Sequence, residues 1–101
     1  MKKITPVEAK MIIDHESDIY IVDVREEEEL EEGYLEDSIL VPLDTIADSA
    51  EKLLPDKHKK MLVYCQSGKR SAVAVKEFED LGYTDVIDIG GIMDWPFEKI
   101  L

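Results

Sequence analysis

The sequence predicts an α/β fold with a central, mainly parallel sheet and helices on both faces. Two observations support this prediction. Short apolar runs alternate along the chain with segments whose apolar residues recur at helical spacing, and this alternation is typical of parallel strands joined by helices. One such run, residues 19–22, is apolar on both of its faces, as expected for a strand that is covered on both sides. In sheets of this kind the functional crevice lies at the carboxyl ends of the strands.

Composition and charge narrow the classes of protein to consider. The chain has 101 residues, of which 45% are apolar and 36% charged, and this predicts one domain over residues 1–101 with a single core. The net charge of −12 argues against nucleic acid and anionic membranes as partners, because both bind basic surfaces. No apolar stretch has the length of a signal peptide or of a membrane span, so we expect a cytoplasmic protein.

The chain contains one cysteine, Cys65, and two histidines, His15 and His58. A single cysteine excludes a disulfide framework and a cysteine-rich metal site within the chain, and it fits a reducing compartment. The histidines are far apart in sequence and lie in polar segments. We therefore expect them at the solvated surface, and we expect no metal site.

A helix is predicted near the amino terminus. Thr5 can cap it, Pro6 fits its first turn, and Glu8 can bond back to the amide of the capping residue. The helix is expected to end near Asp14. Three of its apolar side chains are predicted to face the core: Val7, Met11 and Ile12.

The first clear strand, residues 19–22, ends in the sequence Asp23-Val24-Arg25. Residues 26–32 consist almost entirely of glutamate and predict a short acidic helix that ends at Gly33. We expect this helix to present a solvated face. An acidic docking site for a protein partner is the alternative.

A second strand is predicted at residues 38–41, where Pro42 stops it. The following helix can be capped by Asp44 or Thr45, and Pro55 ends it. Three of its residues have the spacing of a core-facing stripe: Ile46, Ala50 and Leu53.

A third strand is predicted at residues 61–64, followed by a helix at residues 71–81. A fourth strand, residues 86–89, precedes the pair Gly90-Gly91. Cys65, residues 23–25 and Gly90-Gly91 all follow strand ends, so we expect these three segments to meet at one edge of the sheet. The third helix is expected to face the core through three residues: Ala74, Phe78 and Leu81.

The loop around Cys65 connects the third strand to the third helix and is the candidate functional site. It is short and contains a glycine, so its amides should turn toward the point where the cysteine side chain emerges, an arrangement that suits an anion. The helix opens with Lys69 and Arg70, where acidic residues are usual. A thiol in this position is expected to be partly thiolate, and hence nucleophilic, at neutral pH. The alternative is an inert cysteine at the end of a core strand.

Three segments of this chain together resemble the rhodanese (thiosulfate sulfurtransferase) family in its single-domain form, and the resemblance spans nearly the whole chain. One segment begins with Asp-Val-Arg and ends with proline, one holds the cysteine, and one has the pattern Gly-Gly-hydrophobic-x-x-Trp. They occur in the family's order and spacing, at residues 23–42, 64–71 and 90–95. The resemblance implies a rhodanese-like α/β fold.

The resemblance also implies a chemistry. The thiolate of Cys65 would take the outer sulfur of thiosulfate, release sulfite, and pass the sulfur from its persulfide to cyanide or another thiophilic acceptor. The backbone amides of residues 66–70 can hold the negative sulfur without a general base, so neither a histidine nor a cofactor is expected. A single cysteine also argues against a dithiol redox cycle within the chain.

Roles follow for the residues around Cys65. Asp23 and Ser71 are expected to support the loop, and Trp95 to lie in the core. Arg70 could contact the anionic donor or pair with Asp23, and Arg25 could lie at the pocket rim or form a structural ion pair. Six residues are assigned to substrate binding: Gln66, Ser67, Gly68, Lys69, Arg70 and Arg25.

Two departures from the family pattern bear on the donor. Gln66 stands where many family members have arginine, so the loop has one cation fewer. Residues 33–38 replace the common Gly-His-Ile-Pro-Gly-Ala with a different sequence. The preference for a donor is therefore not transferred from the family.

The alternatives to a sulfurtransferase are a phosphatase or arsenate reductase of the same fold and a persulfide carrier or regulatory module. A phosphatase or arsenate reductase of this fold would need arginine six positions after the cysteine, whereas Arg70 comes five positions after Cys65, so the loop is one residue too short. A persulfide carrier or regulatory module would exchange sulfur with a protein donor or acceptor. In that case the acidic residues 26–32 are expected to form the docking face.

Overall fold

The computed structural model describes residues 2–101. Over these residues five strands form one sheet in the order β1-β5-β4-β2-β3, and all four pairings are parallel. The strands are β1 (Lys2–Lys3), β2 (Ile19–Asp23), β3 (Ser38–Leu40), β4 (Lys60–Cys65) and β5 (Val86–Gly91). The prediction of a parallel α/β sheet is confirmed, and β1 is a strand that the sequence did not predict.

Helices cover both faces of the sheet. The α-helices are α1 (Pro6–His15), α2 (Ile46–Leu53) and α3 (Lys69–Asp80), and the 3₁₀ helices are Glu27–Glu32, Leu43–Thr45 and Ile92–Asp94. We call Glu27–Glu32 the acidic segment. It follows β2, as predicted, and Gly33 ends it with a left-handed φ of 111° that favours glycine. No helix within residues 2–101 has the length and apolar character that crossing a membrane requires.

The sheet separates two apolar clusters, because successive side chains of a strand point to opposite faces. On β4, Met61, Val63 and Cys65 lie in the cluster that also contains α2 and α3 residues. Leu62 and Tyr64 lie in the other cluster, together with Ala9 of α1 and Trp95. The side chain of Cys65 therefore points to the face that carries α3.

The start of α1 agrees with the sequence, whereas its buried face does not. Thr5 and Glu8 form the predicted capping box. The prediction that Val7 and Met11 face the core is wrong, because they are 58% and 60% exposed. The helix packs instead through one stripe at i, i+3 and i+4 spacing, which consists of Ala9, Ile12 and Ile13.

The ends of α2 also differ from the prediction. Thr45 occupies the capping position without capping the helix through its side chain, because its hydroxyl donates to the Pro42 carbonyl oxygen instead. Leu53, predicted to face the core, is 43% exposed. The helix ends there, and the change in chain direction brings Leu54 into the core in its place.

Candidate active site

Cys65 is the last residue of β4, and α3 begins only four residues later at Lys69. We call residues 65–71 the Cys65 loop. Gly68 caps α3 with φ 99°, a left-handed conformation that glycine adopts without the strain a side chain would add. This glycine allows the chain to turn sharply enough for the first amides of α3 to face back toward the end of β4.

The sulfur of Cys65 accepts two backbone hydrogen bonds. The Gly68 amide lies 3.0 Å from Sγ and the Ser71 amide lies 3.3 Å from it. Residues 66–70 were expected to supply such donors, and of these Gly68 does so, while Ser71 adds a donor from beyond the expected range. Donors aimed at a sulfur atom stabilise its anionic form more than its neutral form. Cys65 is 0% exposed, so the sulfur is held below the surface.

Ser71 links the loop to β5 through Asp88. The Ser71 hydroxyl lies 3.1 Å from the Gly68 carbonyl oxygen and 2.8 Å from Asp88 Oδ1, so its hydrogen is shared between two acceptors. Asp88 Oδ1 also accepts from the Gly90 amide at 2.8 Å. Ser71 therefore lies where a residue that supports the loop should lie.

Asp88 is the site residue that the sequence analysis missed. It is 1% exposed and stands in the middle of the otherwise apolar run of residues 86–89. A carboxylate inside a buried strand requires partners. An aspartate within an apolar strand was therefore the feature of the sequence that could have predicted a buried polar contact near the end of β5.

The end of β5 presses directly against the Cys65 loop. A Cβ atom on Gly91 would lie 2.6 Å from the carbonyl carbon of Ser67 and would collide with the Gln66 carbonyl oxygen. That same oxygen accepts from the Met93 amide at 3.2 Å. The structure thus brings the glycine pair of residues 90 and 91 to the cysteine loop, as the sequence predicted for adjacent strand ends.

Arg25 and Asp23 form a fully buried ion pair. Arg25 Nε and Nη2 donate to Asp23 Oδ1 and Oδ2 at 3.0 and 2.9 Å, and both side chains are 0% exposed. Arg25 Nη1 also donates to Gln66 Oε1 at 3.2 Å, and Nη2 donates to the Gly33 carbonyl oxygen at 2.8 Å. Of the two alternatives for Arg25, the structure has the ion pair, and Arg25 has no surface at a pocket rim.

Arg70 pairs with Glu29 of the acidic segment. Its Nη1 and Nη2 donate to Glu29 Oε2 and Oε1, each at 2.7 Å. The alternative that Arg70 pairs with Asp23 is wrong, because Arg25 occupies both oxygens of Asp23. The hydrogen bonds from Arg70, aided by the Glu26 amide, lower the pKa of Glu29 to about 2 against the opposing effect of burial.

The remaining predicted binding residues differ in exposure. Gln66 is half-buried, whereas Ser67 and Lys69 are exposed. Within residues 2–101 Lys69 forms no ion pair. Of the two cations at the start of α3, Lys69 therefore keeps an unpaired charge, while Arg70 does not.

The two histidines lie outside this site and are exposed, as expected. Over residues 2–101 no three His, Cys, Asp or Glu side chains are grouped so that they could hold a metal ion. Trp95 is 7% exposed and packs in the core cluster on the α1 side of the sheet.

Nearly the whole chain is similar to rhodanese-like domains and to proteins with sulfurtransferase names. A family model described as the rhodanese-like domain matches residues 5–97. The Bacillus subtilis protein YtwF, which carries a provisional sulfurtransferase name, is 33% identical over 98 residues, which is 97% of this chain and 93% of YtwF. Thiosulfate sulfurtransferase PspE of Escherichia coli is 30% identical over 79 residues, which is 78% of this chain and 76% of PspE.

Solved structures agree with the sequence comparisons. The crystal structure of a rhodanese-like domain protein from Staphylococcus aureus superimposes with a TM-score of 0.86 at 34% identity. The match covers 100% of this chain and 98% of that one.

Proposed function

The chain belongs to the rhodanese-like domain family, and from that premise we propose that it transfers sulfane sulfur from thiosulfate or a similar donor to cyanide or another thiophilic acceptor. The observation that carries this proposal is the pair of amides, from Gly68 and Ser71, that point at the Cys65 sulfur. The relatives with sulfurtransferase names support the class of reaction.

The proposed reaction has two displacement steps. The Cys65 thiolate attacks the outer sulfur of thiosulfate, the sulfur–sulfur bond of thiosulfate breaks, and sulfite leaves with the bonding electrons. The product is an anionic persulfide on Cys65. Cyanide then attacks the terminal sulfur, thiocyanate leaves, and the Cys65 thiolate is restored. Dividing the transfer in this way replaces one difficult step with two easier ones.

The loop supplies fixed electrostatic stabilisation rather than acid–base catalysis. In both steps an anion attacks and an anion leaves, so no proton has to move. Preorganised amides suit such a reaction, because they stabilise charge without reorganising during it. The chemistry also needs Cys65 to stay free of disulfides, and we therefore propose that the protein works in a reducing compartment such as the cytoplasm.

Intact mass spectrometry tests the proposal. The protein treated with thiosulfate should gain the mass of one sulfur atom and lose it again on addition of cyanide. The Cys65→Ser variant should gain no sulfur and form no thiocyanate. The matched control is Ser17→Ala outside the loop, which changes an exposed hydroxyl and should retain loading. Undiminished thiocyanate formation by Cys65→Ser would rule out the proposed carrier.

A persulfide carrier for a protein partner is the second candidate. One observation favours it. Glu29 of the acidic segment is hydrogen-bonded to Arg70 of the Cys65 loop, so a basic partner bound to that segment would lie close to Cys65. Two cysteine peptides, one rich in lysine and one rich in glutamate, can serve as sulfur acceptors. Faster transfer to the lysine peptide, lost at high salt, is the result expected for a carrier. Equal rates would contradict it.

Phosphatase chemistry is not proposed. Six positions after Cys65, where that chemistry needs an arginine, the chain has Ser71, whose hydroxyl donates to Asp88. Rapid hydrolysis of a phosphate ester would contradict this argument.

A further inference from the structure

We propose that Glu29 is a specificity-determining residue that, by holding Arg70, disfavours small dianionic sulfur donors relative to donors with less negative charge. The inference rests on the proposed function, because it concerns which donor loads Cys65. The protein would then bind thiosulfate less tightly than a donor with one negative charge or none.

Arg70 lies next to a hydrogen-bond donor of the Cys65 sulfur. It directly precedes Ser71, whose amide donates to that sulfur, and with Lys69 it is one of the two cations between the donating amides of Gly68 and Ser71. A guanidinium binds two oxygens of an oxyanion through a fork of parallel hydrogen bonds. In this structure that fork is filled by the two oxygens of Glu29, each at 2.7 Å.

Glu29 is itself held in place. Its Oε2 accepts from the Glu26 amide at 2.8 Å, which fixes the carboxylate against its own helix. With a pKa of about 2, set mainly by the hydrogen bonds from Arg70, Glu29 stays ionised throughout the neutral range. An anionic donor that needs Arg70 must therefore displace a carboxylate that is both charged and anchored.

Displacement of Glu29 from Arg70 remains feasible. The side chains of Arg70 and Glu29 are 34% and 27% exposed, and ion pairs with this much contact with water contribute little net stability. Glu29 therefore tunes the affinity for the donor rather than closing the site. The acidic segment, in which five of six residues are glutamates, adds repulsion for a dianion.

A matched pair of donors isolates the effect of charge. Thiosulfate carries two negative charges. Methanethiosulfonate has nearly the same shape but carries one, because a methyl group replaces an oxygen. With methanethiosulfonate the Cys65 thiolate would take the terminal sulfur, and methanesulfinate would leave with the bonding electrons. Both donors yield the same persulfide, so the KM of each can be measured through thiocyanate formed at saturating cyanide.

A matched pair of variants isolates the contact with Arg70. Glu29→Gln removes the charge while keeping the size of the side chain. Glu28→Gln removes the same charge from the neighbouring residue, whose exposed side chain forms no hydrogen bond or ion pair within residues 2–101. Glu29→Gln should lower the KM for thiosulfate by about fivefold and that for methanethiosulfonate by less than about twofold, with kcat little changed. Glu28→Gln should leave both KM values within about twofold.

Each alternative outcome has its own meaning. An unchanged KM for thiosulfate in Glu29→Gln, or an equal fall in Glu28→Gln, would overturn the inference while leaving the proposed function intact. A loss of kcat with both donors in Glu29→Gln would also overturn it, because the ion pair would then be a brace for the loop. If neither donor adds sulfur to the unmodified protein, the proposed function fails and this inference fails with it.

Discussion

Two arginine–carboxylate pairs lie side by side at the same edge of the sheet. They consist of the same chemical groups but differ in how far they are exposed to water. Arg25–Asp23 is 0% exposed on both sides, whereas Arg70–Glu29 is about one-third exposed. They lie close enough that Arg25 Nη1 is 3.4 Å from the carbonyl oxygen of Glu29. In each pair the guanidinium donates to both oxygens of the carboxylate.

Burial decides what each pair can do. Arg25 has exchanged all its contact with water for fixed partners, which include the side chain of Gln66 and the carbonyl of Gly33. Removing one partner of such a pair leaves a buried charge without compensation. Arg70 and Glu29 both remain in contact with water, so either can exchange its partner at small cost. The same interaction is structural in the first case and replaceable in the second.

The largest predicted effect comes from breaking the buried pair. Asp23→Ala leaves the guanidinium of Arg25 buried without its carboxylate and should lower the free energy of unfolding by about 3–5 kcal/mol. Urea denaturation measures this difference. Glu29→Ala, the equivalent change in the exposed pair, should cost no more than about 1 kcal/mol. Similar losses in the two variants would show that burial does not distinguish the pairs.

An intermediate effect is expected from substitution of Ser71, whose hydroxyl donates to the buried carboxylate of Asp88. Unlike Asp23 and Glu29, Asp88 is not paired with an arginine within residues 2–101. Ser71→Ala removes the hydroxyl that donates to Asp88 and leaves this 1% exposed group with one donor fewer. We expect a loss of about 1–3 kcal/mol in unfolding free energy, together with slower loading of Cys65, because the Ser71 hydroxyl helps to hold in place the amide that donates to the Cys65 sulfur. Ser71→Thr, which keeps the hydroxyl, is the control. If Ser71→Ala were as stable as the parent protein, Asp88 would not depend on this contact.

The smallest effect is the pH dependence that arises from Glu29. Its pKa is about 2 in the folded protein, below the ordinary 4.5, mainly because Arg70 donates to it. The carboxylate therefore contributes its stabilisation fully above about pH 4.5 and loses it as the pH falls toward 2. Because the pair is partly exposed, the loss should be no more than about 1 kcal/mol. Acid titrations of stability in the parent and in Glu29→Gln should differ by this amount over that interval, and superimposable titrations would contradict the assignment.

Sequence reasoning succeeded where a local pattern carries the information. The apolar runs predicted β2 to β5, and Thr5 with Glu8 predicted the start of α1. The order of strand ends predicted that the loops would meet. Sequence reasoning missed β1, because Lys2–Lys3 is an exposed strand of two residues with no apolar alternation. Only its pairing with β5 defines it.

The missed contacts depend on tertiary geometry. Val7 and Met11 have the same helical spacing as a buried stripe, so which stripe faces the sheet is decided by packing. Likewise, Arg70 could reach an acidic residue at either of two neighbouring segments. Asp23 was unavailable to it only because Arg25, two residues further on, folds back over Asp23.

The complete burial of Cys65 sets an order of events in time. A sulfur atom without exposed surface meets no donor until atoms around it move, so under the proposed function such a movement precedes each displacement. Loops move in nanoseconds to microseconds, whereas enzymes commonly turn over in milliseconds or longer. A small donor therefore finds the sulfur open many times within one turnover. Between openings, Cys65 is shielded from water and from oxidants, and under the proposed function the lifetime of a persulfide would depend on how seldom the loop moves as well as on its own reactivity.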